Sequence, residues 1–219
     1  RMYLSGLSVS DIPAVVRAAV GLDVDASTAA TIYRRSGGNP FFVRELARLV
    51  AAGSDLSGVP EGVRAVVRYR LSRLPAEVQS VLRKAAVAGE SFTLDVVGPL
   101  DAVEVAVQHG FLVEIAAQEF RFSHALVRDT LYQDLSQSRR AQLHLEVALV
   151  IEQVRPDDAV LAHHFSLASD PRAGRYARAA AASAEARFDF GAAARFWRMV
   201  SDDRLEAIMG LTRALSFTG

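Results

Sequence analysis

The hydrophobic period of this chain changes once. Alanine, leucine, valine and arginine dominate, and there are 7 prolines in 219 residues. Apolar residues therefore recur at helical spacing almost throughout. The exceptions are Phe111-Leu112-Val113-Glu114-Ile115 and Glu119-Phe120-Arg121-Phe122, two short β-prone runs around Ala116-Ala117-Gln118. They predict one β-hairpin and no other strand. The fold class that follows is mainly α, with a single small β element near the middle.

The helix boundaries are marked by capping and breaking residues. Ser10 can cap a helix to Val20, with Pro13 in its first turn. Asp25 or Ser27 can cap a second to Arg35, and Gly37 supplies a left-handed stop. Asn39 caps a third, Pro40 takes its first position, and Gly53 ends it. Phe42, Leu46, Leu49 and Val50 form its apolar face. Ser54–Pro60 reads as a polar connector. Further helices are expected at 61–74, 76–88 and 101–109 before the hairpin. After it they are expected at 124–135, 137–153, 158–168, 172–187, 190–200 and 203–216.

The predicted domains are a helical bundle over 1–53, a winged helix over 60–135, and a helical-repeat region over 136–219. In the last, Ala180, Ala184, Ala193 and Ala194 would allow close helix approach, while Tyr176, Phe188, Phe196 and Trp197 fill the grooves. The spacing is compatible with a 34-residue helical repeat of the TPR type, incomplete at Gly219.

Composition removes several function classes. The hydrophobic fraction of 51% excludes a disordered tail. A formal net charge of zero gives no global pull toward nucleic acid or anionic membrane. There is no cysteine, so disulfide and thiolate chemistry are excluded. No apolar run reaches the length of a membrane span and no signal peptide opens the chain, so a cytoplasmic protein without membrane contact is expected. Lys84 is the only lysine, which with the abundant alanine suggests a GC-rich, bacterial coding sequence.

Ser36-Gly37-Gly38-Asn39-Pro40-Phe41-Phe42 is the segment richest in chemistry. A helix start offers backbone N–H groups and a positive dipole end, suited to an anion or a polar ligand edge. Proline adds a rigid apolar surface for a flat base. On residue chemistry alone, an ordinary capped helix start is the stronger reading. No G-x-x-x-x-G-K-[ST] phosphate loop accompanies it, so the segment reads as one half of a nucleotide site within a larger protein.

Taken together, the motifs resemble a family. Leu7 followed by Asp11, then Gly38-Asn39-Pro40-Phe41-Phe42-Val43-Arg44-Glu45-Leu46, resemble the helical lid after the nucleotide fold of STAND-class AAA-type ATPases. Val59-Pro60-Glu61-Gly62-Val63 with Arg70-Leu71-Ser72-Arg73-Leu74-Pro75 resembles the start of their winged helix, and Phe120-Arg121-Phe122-Ser123-His124-Ala125-Leu126-Val127-Arg128 its end. Arg139-Arg140 with Leu143-His144, then Leu161-Ala162-His163-His164-Phe165, continue the pattern. The similarity is greatest to the bacterial branch of large LuxR-type transcriptional regulators and AAA-linked nucleotide cyclases.

The resemblance implies that Gly38 and Pro40 lie over the adenine side of a bound nucleotide, with Asn39 a cap. It implies that His124 reaches the phosphates of ADP and latches the resting state. Ser123-His124-Ala125 stands where eukaryotic immune receptors of this class have Met-His-Asp, so the acid beside the histidine is missing. ATP or ADP is the implied cofactor of the intact protein, held by an absent P-loop domain. The chain itself lacks the phosphate loop, magnesium-binding acid and base that hydrolysis requires. The implied partners are its own nucleotide domain and a protein partner, or self-association, through the repeats.

Two other readings compete: a helical interaction scaffold with no nucleotide role, and a DNA-binding winged helix. The helix before the hairpin, Asp101–His109, carries two acids and no arginine or lysine, which argues against direct DNA contact. Arg64, Arg68, Arg70, Arg73, Arg83 and Lys84 read as a solvated helix face with local ion pairs. His163-His164 reads as packing rather than a metal site, and His109 and His144 offer even less. Asp157-Asp158 and Asp202-Asp203 read as helix-start acids.

Overall fold

Side-chain oxygens make several of the helix starts. In the computed structural model, Asp25, Asn39, Ser136, Asp157 and Asp189 each accept a hydrogen bond from a backbone N–H of the helix they precede. The structure describes residues 6–53, 56, 62–200 and 204–216, and these include thirteen α-helices and three strands. The chain divides into two compact units, 1–79 and 80–219.

The first unit holds α1 (Ile12–Val20), α2 (Ala26–Ser36), α3 (Pro40–Ala51) and α4 (Val63–Ser72). Asp25 caps α2 and Gly37, at φ 57°, ends it. The first helix starts later than expected. A 3-10 turn, Val9–Asp11, precedes it, and the N–H and hydroxyl of Ser8 both donate to Asp11, at 2.8 and 2.6 Å. Ser8, not Ser10, makes the local polar closure, because Asp11 lies three residues beyond it.

Ile12, Val16, Ile32, Val43 and Leu46 are fully buried together, with Phe42, Leu49, Leu56 and Val66. Helix α4 packs on α3, so this helix, assigned by sequence to the 60–135 segment, shares its core with residues 1–53. Of the expected connector, Ser54, Asp55 and 57–60 lie outside the described residues, as do Val59-Pro60-Glu61 of the family pattern.

One buried ion pair joins α3 to α4. Glu45 is 0% exposed and accepts from Arg70, itself buried, and from Arg48 at 2.6 Å. Arg70 therefore does not belong to the solvated basic face that the sequence predicted. Its position turns it inward, and burial draws its guanidinium below its ordinary pKa while Glu45 opposes that shift.

The second unit begins within α5 (Ala76–Ala88). It continues through β1 (Ser91–Thr93), α6 (Leu94–Val97), α7 (Leu100–Gln108), β2 (Leu112–Ala116) and β3 (Glu119–Phe122). The strands form an antiparallel sheet in the order β1-β3-β2. The expected hairpin is present, but it is not the only strand structure. β1 pairs Phe92 with Phe120, and the Phe92 and Phe122 rings meet edge-on at 5.8 Å. Three residues between Gly89, at φ 140°, and a short helix are too few for a period-two signal.

Six helices complete the unit: α8 (Ala125–Asp134), α9 (Gln137–Val154), α10 (Asp158–Leu167), α11 (Arg172–Ala186), α12 (Phe190–Trp197) and α13 (Arg204–Ser216). From α9 onward each helix packs on the next. Their shared core is rich in alanine: Ala177, Ala181, Ala184 and Ala193 are fully buried around Leu161 and Phe165. Tyr176 stacks on Phe165 at 5.5 Å, and Trp197 closes the far side. Gly210 is what lets α13 approach, since a Cβ there would stand 2.3 Å from the Trp197 ring.

Phe188 departs from expectation. It is 80% exposed at the α11–α12 turn, with φ 60°, instead of filling a groove. The turn places it beyond the helix ends, where the Phe190 ring meets it edge-on at 6.3 Å. Asp202-Asp203 lie outside the described residues. No described helix is long and apolar enough to cross a membrane.

Candidate functional site

The turn at Gly38 is built by a backbone crossing. Leu7 N–H donates to the Gly38 carbonyl at 2.8 Å. A Cβ on Gly38 would lie 2.4 Å from the Leu7 carbonyl oxygen, and its φ is 74°. Both facts require glycine, and both are internal to the fold. Gly38 N–H donates to the Ser36 hydroxyl at 3.1 Å, Asn39 N–H to the Ser36 carbonyl at 3.0 Å, and Phe42 N–H to the Asn39 side chain at 3.1 Å.

These amides already have partners, and Pro40 has none to offer. Gly38 is buried, whereas Asn39 and Pro40 are exposed. The turn thus presents outward the rigid apolar ring of Pro40 at a helix start, beside the exposed Asn39. That chemistry suits the face of a flat ring better than a phosphate.

His124 stands at the N-cap of α8, exposed, and its Nδ1 accepts from Leu126 N–H at 3.1 Å. A neutral imidazole accepting at Nδ1 carries its proton on Nε2, so Nε2 is a donor. The residue before it is fixed twice. Ser123 N–H donates to the Phe111 carbonyl at 3.0 Å, and its hydroxyl to the Gly110 carbonyl at 2.8 Å. The end of the sheet and the α7–β2 turn thereby set where α8 begins. One turn along, Arg128 lies 3.5 Å from Asp129 and 3.9 Å from Glu90. Gly38 and Pro40 share one turn of the first unit, and His124 belongs to the second.

A histidine cluster that sequence reading did not assemble lies among α8, α9 and α10. His144 and His164 are each 2% exposed, and their Nδ1 atoms are 2.8 Å apart. The Tyr132 hydroxyl is 3.1 Å from His144 Nε2. His163, exposed, brings its ring centroid to 5.9 Å from His144 and 5.3 Å from His164. Arg140 covers the Tyr132 ring at 4.7 Å.

Burial pushes His144 down to about 4, aided by the charges of His163 and Arg140. Burial pushes His164 to about 3, aided by His144 and His163. An Nδ1–Nδ1 hydrogen bond holds one proton, so it needs at least one neutral imidazole. Among the described residues no group of His, Cys, Asp or Glu is arranged to hold a metal ion. The spacing of 20 residues between His144 and His164 has no local periodic signature; only the meeting of α9 and α10 creates the pair.

Comparison with known proteins identifies no family. No family model matches the chain. No solved structure matches it. It is similar to an uncharacterised protein of Rhizobium meliloti (strain 1021), 28% identical over 159 residues. The matched part covers 60% of this chain and 15% of that relative, so the chain corresponds to a small part of a long protein there.

Proposed function

We propose that this chain is the regulatory segment of a signal-transducing STAND-type ATPase of the bacterial regulator class. In the intact protein, Pro40 borders the base of ADP or ATP held by a P-loop domain, and the Nε2–H of His124 donates to its phosphates. Nucleotide exchange releases these contacts and frees the α9–α13 helices for partners. Such a switch works by differential contacts in its two states. Gly38 acts in it through the turn: its role is to hold Pro40 at the surface against Leu7.

The observation that carries the reading is the pair of exposed groups on separately braced supports. Pro40 is exposed beside a turn tied to Leu7, and His124 is exposed at the start of α8, where its Nδ1 accepts from Leu126 N–H. The order helix, strand, two helices, hairpin over α5 to β3 supports a winged helix, and the successive packing of α9–α13 supports a repeat region.

The test is the release rate of a fluorescent ADP analogue from the full-length parent protein. His124→Ala should speed release and raise basal activity, and Pro40→Ala should weaken base binding. An unchanged release rate in the His124 variant removes the latch role.

A helical interaction scaffold is the second reading, and Phe188 favours it. The turn that carries Phe188 past the helix ends leaves an apolar ring 80% exposed, and a docked partner could cover it. In that case Phe188→Ala abolishes partner binding while ADP release is unaffected.

A further inference from the structure

The sheet and α7 enclose a concave groove of about 540 Å³. Leu94, Val107 and Phe120 supply apolar lining, while Glu104 and Glu114 contribute exposed carboxylates. Glu104 comes from α7, and Glu114 from β2, where it pairs with Phe120 of β3. Neither carboxylate has an ion-pair partner among the described residues, and no lysine or arginine lines the groove. The groove is also preformed. Leu94 N–H donates to the Gln118 carbonyl at 2.9 Å, tying the hairpin turn to the start of α6, and Phe111 N–H donates to the Ala106 carbonyl at 2.9 Å, tying α7 to β2.

We propose that this groove docks an extended segment of a protein partner carrying an arginine or lysine beside an apolar side chain. The apolar side chain covers Leu94 and Val107, and the cation lies between Glu104 and Glu114. Charge complementarity selects this occupant. Two unpaired carboxylates repel a phosphate backbone and a carboxylate-bearing peptide alike, and they attract a guanidinium or ammonium group. Apolar lining gives the neighbouring side chain a place to bury, and a rigid wall limits the ordering cost on binding. The surface is independent of the nucleotide reading, because it uses neither Pro40 nor His124.

The experiment is methyl NMR on the whole chain, following Leu94, Leu100 and Val107 while acetyl-Ala-Arg-Leu-Arg-Ala-amide is added. Saturable shifts at these methyls are expected, weakened by salt. Acetyl-Ala-Glu-Leu-Glu-Ala-amide should leave them unmoved. The E104Q/E114Q variant, changed at exposed positions only, should bind the arginine peptide about fivefold more weakly, the scale of two partly screened ion pairs. Absence of saturable shifts, equal response to the two peptides, or undiminished binding by the variant overturns the proposal. A DNA duplex that shifts the same methyls would overturn it too, assigning the groove to nucleic acid.

Discussion

Acidification should destabilise the second unit through His144 and His164. Both are held neutral in the fold, at about 4 and about 3, chiefly by burial. An unfolded histidine titrates near 6.5. Between those values the unfolded chain binds protons that the folded chain refuses, so stability falls as pH falls. The loss begins below about 6.5 and stops growing once the folded imidazoles accept protons.

At about pH 5 both are still neutral in the fold, so the size depends on the unfolded value alone. Each unfolded imidazole then gains about 2 kcal/mol from protonation, and the pair about 4 kcal/mol, against almost nothing at about pH 7.5. That is a large part of a typical domain's 5–15 kcal/mol. The assay is urea unfolding followed by fluorescence of Trp197, the single tryptophan, which sits in the α9–α13 core.

His164→Asn keeps a hydrogen-bonding group near Nδ1 and removes one titration, so the pH-dependent loss should fall by about half. The reasoning is refuted if the variant and the parent lose the same stability between the two pH values. It is equally refuted if the parent loses none.

Two further predictions concern the first unit. Glu45→Ala leaves Arg70 buried without its carboxylate and should cost about 3–5 kcal/mol in thermal or urea unfolding followed by circular dichroism. Glu45→Leu with Arg70→Met should recover most of that, and a single-variant loss below about 1 kcal/mol would count against the buried pair. Gly38→Ala should destabilise more than Gly37→Ala. Both occupy positive φ, but only Gly38 meets a backbone oxygen at 2.4 Å, whereas nothing lies within 4 Å of a Cβ at Gly37. Equal losses in the two variants would show that the Leu7 crossing does not constrain the turn.

Features written in local chemistry were legible in the sequence. Asp25 and Asn39 cap the helices they precede, and Gly37 ends α2. The hairpin follows the period change at Phe111–Phe122. Features created by meeting elements were not. β1 has three residues and exists because β3 offers Phe120 and Phe122 as partners. Ser8 replaces Ser10 because a carboxylate three residues on closes the turn. Arg70 sits in a basic run, yet it is drawn inside by Glu45, 25 positions away. Phe188 reads as core by residue type and is exposed because its turn carries it past the helix ends.

The candidate site divides along the same line. Asn39 and Pro40 take the roles that local chemistry assigns them, a cap and a first helical residue. Gly38 is different. Residue chemistry offered a helix cap or a ligand contact, and the structure supplies a third cause in Leu7, whose backbone occupies the space a side chain would need. A glycine proposed for a ligand contact can thus be demanded by the fold itself. The same substitution can then weaken ligand binding without touching the ligand. Separating the two effects at this turn requires Pro40→Ala beside Gly38→Ala: the first changes the exposed ring and leaves the Leu7 crossing intact, and the second does the reverse.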